Sequence, residues 1–224
     1  MSSLVLLKLF LAPVFVVIMG FIQRRWGDGA GGRLIGLPVT TGPFVLIIYI
    51  QEGSSFASKA AHGVLVGQVA LIIFCWTYAT SVTKTTWVRA LVLGTLACLV
   101  AGALLTSIEI PLLVLLPLLT GMLIAVAKYW PEYSNSPRES QPPAWELPIR
   151  VLATVLLILT LTSFATVLGP RVAGALSTYP VIISVLGAFS HRRYGPNATV
   201  AMLHGLIQTL PIAIVIMSVL TIAL

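Results

Sequence analysis

Apolar runs separated by short polar breaks recur along the chain, at residues 3 to 22, 34 to 50, 56 to 79, 87 to 106, 108 to 127, 147 to 168, 172 to 190 and 198 to 224. A helix of about 20 such residues, rising about 1.5 Å per residue, crosses a hydrocarbon core of about 30 Å. It also satisfies its own backbone hydrogen bonds, which lipid cannot do for it. The pattern therefore predicts an all-α polytopic membrane protein of about eight transmembrane helices. The fourth and fifth runs are nearly continuous, divided only at Thr106-Ser107-Ile108-Glu109 with Pro111 following. That division predicts a tight helical hairpin. The one long polar stretch, PEYSNSPRESQPPAWE at 131 to 146, has the Pro and Ser content of a linker.

Composition narrows the choice of solvent. Hydrophobic residues make up 58% and charged residues 8% of the chain, against roughly 25% charge in an ordinary soluble domain. The first run begins without a basic segment and ends without a small-residue cleavage site, so it is expected to be a span rather than a removable signal. Cys75 and Cys98 lie in apolar runs without metal-ligand or disulfide spacing.

The net charge of +7 would suggest nucleic acid as the partner of a soluble protein, but in a membrane protein it reports topology. Arg24, Arg25, Arg33, Lys84, Arg89, Lys128, Arg138, Arg150, Arg192 and Arg193 fall at the odd-numbered connections, whereas Lys8, Lys59 and Arg171 lie towards the other side. This bias predicts cytoplasmic odd connections and both termini outside, and it requires residues 87 to 127 to cross twice. Trp26, Trp76, Trp87, Trp130 and Trp145 fall near the same side, as interfacial anchors do.

The chain also resembles itself. GGRLIGLPVTTGP at 31 to 43 and GPRVAGALSTYP at 169 to 180 each carry an Arg, a Gly three residues later, a hydroxyl-rich stretch and a Pro, and a His-Gly pair follows in the next run. Five crossings separate the copies, so they are expected to run in opposite directions. The organisation predicted is a 3+2+3 inverted repeat with broken second and seventh helices: residues 1 to 80, a hairpin at 81 to 130, the linker at 131 to 146, and the second repeat at 147 to 224. Inverted repeats with interrupted helices are a recurring plan of secondary transporters, whose substrate sits near the midplane.

The candidate site follows from those breaks. Proline removes a donor and kinks a helix, and freed backbone groups at Thr40, Thr41, Gly42 and Pro43 and at Ser177, Thr178, Tyr179 and Pro180 would find partners in a bound solute. The bland alternative is that the hydroxyls merely repair two Pro kinks. Arg33 and Arg171, at matching places in the repeat, present forks for a carboxylate or phosphate, unless they only fix topology and reach lipid phosphate. His62 and His204 are candidates for proton coupling, or for interhelical hydrogen bonds. Glu109 is read as the only carboxylate close to an apolar run. Gly63 and Gly67 form a GxxxG pair suited to close packing within the chain or in a homodimer. No protease, hydrolase or nucleotide-binding motif appears, so no catalytic residue, cofactor or metal is expected.

The run IGLPVTTGPFVLIIYIQEG at 35 to 53 resembles the second helix of the small GlpM-like inner-membrane proteins. There a Gly-Leu and two prolines precede an apolar run ending in Glu-Gly. The resemblance implies a bacterial inner-membrane protein and carries over no functional residue. The function expected is that of a secondary transporter or flippase for a small or lipid-linked anionic solute. The alternatives are a membrane scaffold or accessory subunit and, further off, a lipid-modifying intramembrane enzyme.

Overall fold

The computed structural model describes residues 3–39, 41–105, 107–134, 143, 145–168 and 179–224, with backbone alone for 3–12 and 162–168. Among the described residues the chain is helical without strands: α1 (Ser3–Trp26), α2 (Asp28–Gly36), α3 (Thr41–Glu52), α4 (Ser54–Val82), α5 (Trp87–Leu105), α6 (Leu112–Lys128), α7 (Glu146–Leu168), α8 (Val181–Tyr194) and α9 (Pro196–Ala223). Long enough and apolar enough to cross a membrane are the broken pair Asp28–Glu52, α4, α5 and α9. Large apolar side chains such as Leu113, Ile124, Val215 and Ile222 face outward. That is a liability in water and the required surface in lipid. The long apolar helices make the chain compatible with an integral membrane protein.

Three glycines form one-residue turns between helices. Gly27, Gly53 and Gly195 have φ of 86°, 84° and 82°, and each stands alone between two helices. With ψ near 180° this conformation is essentially restricted to glycine. Each N–H closes the preceding helix, on the carbonyls of Gln23, Tyr49 and His191 respectively. The spacing from Gly53 to Gly195 is also that from His62 to His204 and from Pro38 to Pro180.

The second predicted helix is broken, but not where the sequence pointed. Its two pieces, α2 with 9 residues and α3 with 12, reach only about 14 Å and 18 Å. Pro38, rather than Pro43, causes the break, because the residue before a proline is pushed out of the α region; Leu37 is extended, with φ −73° and ψ 154°. Pro43 lies in the first turn of α3, where its missing N–H removes no helical hydrogen bond. Residues 169–178, where the second break was expected, lie outside the described residues. Beyond them, Pro180 directly precedes α8, and its carbonyl accepts the Ser184 N–H at 3.0 Å.

The core forms around α4 and α9, which supply most of the fully buried large side chains, among them Phe74, Tyr78, Met202 and Leu206. These helices run antiparallel. Ser58, near the start of α4, donates to the carbonyl of Thr221 near the end of α9 at 2.7 Å, while the ring of Tyr78 and the side chain of Met202 both lie against Gly187. Around this pair, α1 packs on α2 and α7, α2 on α9, α3 on α4, and α8 on α7 and α9. The α2–α9 contact is backbone on backbone. A Cβ on Gly32 or Gly36 would overlap the carbonyl oxygen of Met202 or Leu206, and one on Gly205 that of Gly29.

Candidate functional site

Two regions bear on function, and the expected midplane site is the weaker of them. The flanks of the first break do approach the start of α8, since Ile35 and Val39 line one hollow with Ile182 and with Phe15 and Met19 of α1. The hollow is apolar and small. Its volume is about 20 Å³, room for about one water. Thr41 and Gly42 are half-buried and Pro43 is exposed, and none of them lines this space. Tyr179 is buried and turned towards α4 and α5: its hydroxyl shares a 3.0 Å hydrogen bond with Thr95, and its ring meets Phe74 edge-on at 6.1 Å. Thr40, Arg171, Ser177 and Thr178 lie outside the described residues. The expected convergence of hydroxyls is therefore not seen among the residues described.

Arg33 projects outward from the α2–α9 contact. Its Nε donates to Gln208 at 3.1 Å, and its carbonyl accepts the Thr209 hydroxyl at 2.6 Å. His204 stacks on Trp130 with ring centroids 5.3 Å apart, and its Nδ1 shares a 2.8 Å hydrogen bond with the Tyr133 hydroxyl. Asn197 donates to Ser134 at 3.0 Å. The linker is thus pinned to the first turns of α9 at two points. His62 lies near Ser58, at the opposite end of the α4–α9 crossing, so the two histidines are not brought together.

The stronger region is a buried charged cluster where α1, α2, α7 and α8 meet. Glu146, 3% exposed at the first position of α7, has one carboxylate oxygen on Arg150 of the same helix and the other on Arg193 of α8, the latter at 3.1 Å. Arg150, itself 4% exposed, also donates from Nη1 to Gln23 at 2.9 Å, while its guanidinium lies over the Phe189 ring. Gln23 in turn reaches the sulfur of Met202. Asp28, buried in the first turn of α2, accepts the Ser190 hydroxyl at 3.0 Å. Its carboxylate is favourably placed at a helix N-terminus. Burying ions is costly unless they are paired and hydrogen-bonded, and this cluster meets that condition by taking partners from four helices.

These residues correct the expectation that Glu109 alone approaches an apolar run. Glu109 is exposed, whereas Asp28 and Glu146 are enclosed. Arg150 and Arg193, read as markers of sidedness, are working parts of the packing. One signal was available in the sequence: Glu146 and Arg150 stand four apart at the head of an apolar helix, the spacing of a helical ion pair.

Among the described residues no three His, Cys, Asp or Glu side chains group as metal ligands. Comparison with known proteins finds no matching family model, no similar curated protein and no similar solved structure.

Proposed function

We propose that the chain is a secondary transporter or flippase in a bacterial inner membrane, with eight crossings, both termini outside, and two inverted three-helix repeats that move a small or lipid-linked anionic solute. The observation that carries this reading is the meeting, at one hollow, of the helix break around Pro38 and the start of α8, where the matching break is expected. A break in a membrane helix leaves backbone groups unpaired, and paired breaks facing each other are the usual construction of a transport site.

The spacing common to Gly53 and Gly195, to Pro38 and Pro180, and to the two His-Gly pairs supports the repeat. It revises the register, pairing Pro180 with Pro38 and opposing Arg171 to Gly29 rather than to Arg33. The antiparallel α4–α9 crossing and the contact of α1 with α7 also support an inverted relation, because each of these pairs consists of corresponding helices.

The apolar, water-sized hollow favours the other reading, a membrane scaffold with a dry centre. Alternating access separates the two. Val39→Cys and Ile182→Cys, made in a background in which the buried Cys75 and Cys98 are replaced by Ala, are treated in sealed vesicles with a membrane-impermeant thiol reagent applied from each side in turn. A transporter exposes the same position to both sides in different molecules or at different times. Protection from both sides, in protein that remains folded, selects the scaffold.

A further inference from the structure

We propose that Arg150 and Arg193 form the binding site for the anionic group of the solute, and that Glu146 fills this site from within when no solute is bound. The inference rests on the transport reading and assigns its ligand chemistry: a carboxylate or a phosphate monoester. Planar guanidinium groups bind such oxyanions through paired N–H donors. Glu146 already shows the geometry, with one oxygen on each arginine.

Three features separate this arrangement from a simple structural ion pair. The arginines come from different helices, α7 and α8, while Glu146 stands at the first position of α7, so a rotation of its side chain at the helix end withdraws the carboxylate and leaves both guanidinium groups in place. Arg150 keeps its Nε buried and without a partner, a donor in excess of what Glu146 and Gln23 use. A cavity of about 10 Å³ opens beside it, lined by Gln23, Arg24, Arg150 and Tyr194 among others. A phosphate does not fit there unless Glu146 leaves. Solute and Glu146 therefore compete for the same donors, and the carboxylate holds the charges neutral in the empty protein. Two carboxylates, Asp28 and Glu146, then balance the two arginines. Removing one leaves an uncompensated buried cation, a strongly unfavourable state.

The test uses the full chain in detergent and follows thermal unfolding in sodium phosphate and in sodium chloride of equal ionic strength. Glu146→Gln is expected to unfold earlier than the parent in chloride, to recover in phosphate, and to bind phosphate on the order of tenfold more tightly than the parent. Adding Arg193→Gln to it should abolish the phosphate response. Where Glu146→Gln folds in neither buffer, Glu146→Asp serves, because it keeps the charge but is too short to span both guanidinium groups; a smaller recovery in phosphate is expected. A parallel arm in phosphatidylcholine nanodiscs with and without phosphatidic acid identifies the source of the group. A response to inorganic phosphate means a water-borne solute, and a response to phosphatidic acid alone means a lipid headgroup. Equal behaviour in phosphate and chloride, with no effect of phosphatidic acid, overturns the proposal. If positions 39 and 182 still show two-sided access in that case, transport stands and the anion site falls.

Discussion

Gly205 on α9 faces the carbonyl oxygen of Gly29 on α2 so closely that a β-carbon between them would overlap it. Gly32 and Gly36 press on the α9 backbone in the same way, one and two turns along. Within lipid, where helices gain nothing from hiding apolar surface, such main-chain proximity is a principal source of association. The half-helix α2 is too short to hold its place by length, so this contact fixes it.

Enlarging these glycines should therefore loosen the protein. Gly32→Ala and Gly205→Ala are each expected to lower stability by about 1 to 3 kcal/mol, the usual cost of overpacking. Gly121→Ala, on α6 with open space about it, should change little or help slightly. Unfolding in sodium dodecyl sulfate followed by circular dichroism measures the difference, and indistinguishable curves for Gly205→Ala and Gly121→Ala would contradict the packing.

A second expectation concerns the one-residue turns. Gly53→Ala and Gly195→Ala force a β-carbon into φ near 84° and 82°, at a cost of about 1 to 3 kcal/mol each. Both sites are otherwise open, so the strain stands apart from any clash. Similar losses in the two variants are expected in thermal unfolding, since the turns share one conformation.

Sidedness can be read without any substrate. Single cysteines at Thr83, in the turn between α4 and α5, and at Ser107, between α5 and α6, are both exposed positions. Impermeant reagent should reach the first only from the cytoplasm and the second only from outside. Labelling of both from one face would remove a crossing from residues 87 to 127 and, with it, the inverted relation of the repeats.

Tyr133→Phe removes the hydroxyl that meets His204. A hydrogen bond of this kind contributes about 0.5 to 1.5 kcal/mol. Release of one of the two pins on the linker should appear as faster proteolytic cleavage between residues 131 and 146, with the helices themselves left intact. An unchanged cleavage rate would mean that the Ser134–Asn197 contact suffices.

Much of the helical layout was legible from hydropathy alone, because a run of apolar residues bounded by charges means the same thing wherever it folds. The pieces α1, α4, α5 and α7 begin and end within a few residues of the expected limits. Choosing between Pro38 and Pro43 required more than counting prolines. Both precede apolar residues, and only the register of the first turn of α3 decides which one interrupts the helix. The charged cluster was harder still. Asp28, Glu146, Ser190 and Arg193 are scattered over the chain, and each alone reads as the polar edge of a span. Their relation is created by packing and has no counterpart in local pattern beyond the Glu146–Arg150 spacing.

The single-glycine turns have a mechanical consequence. Two helices joined through one residue, with the N–H of that residue bonded back into the first, behave as a bent strut rather than as two rods on a string. This gives α1 with α2, α3 with α4, and α8 with α9 as stiff angled pieces. Between the first two of them, the chain's freedom to rotate is concentrated in the few bonds around Leu37, Pro38 and Val39. Any large displacement of α1 and α2 against α3 and α4 must then pivot there, beside the hollow, in the way a folding rule moves only at its rivet.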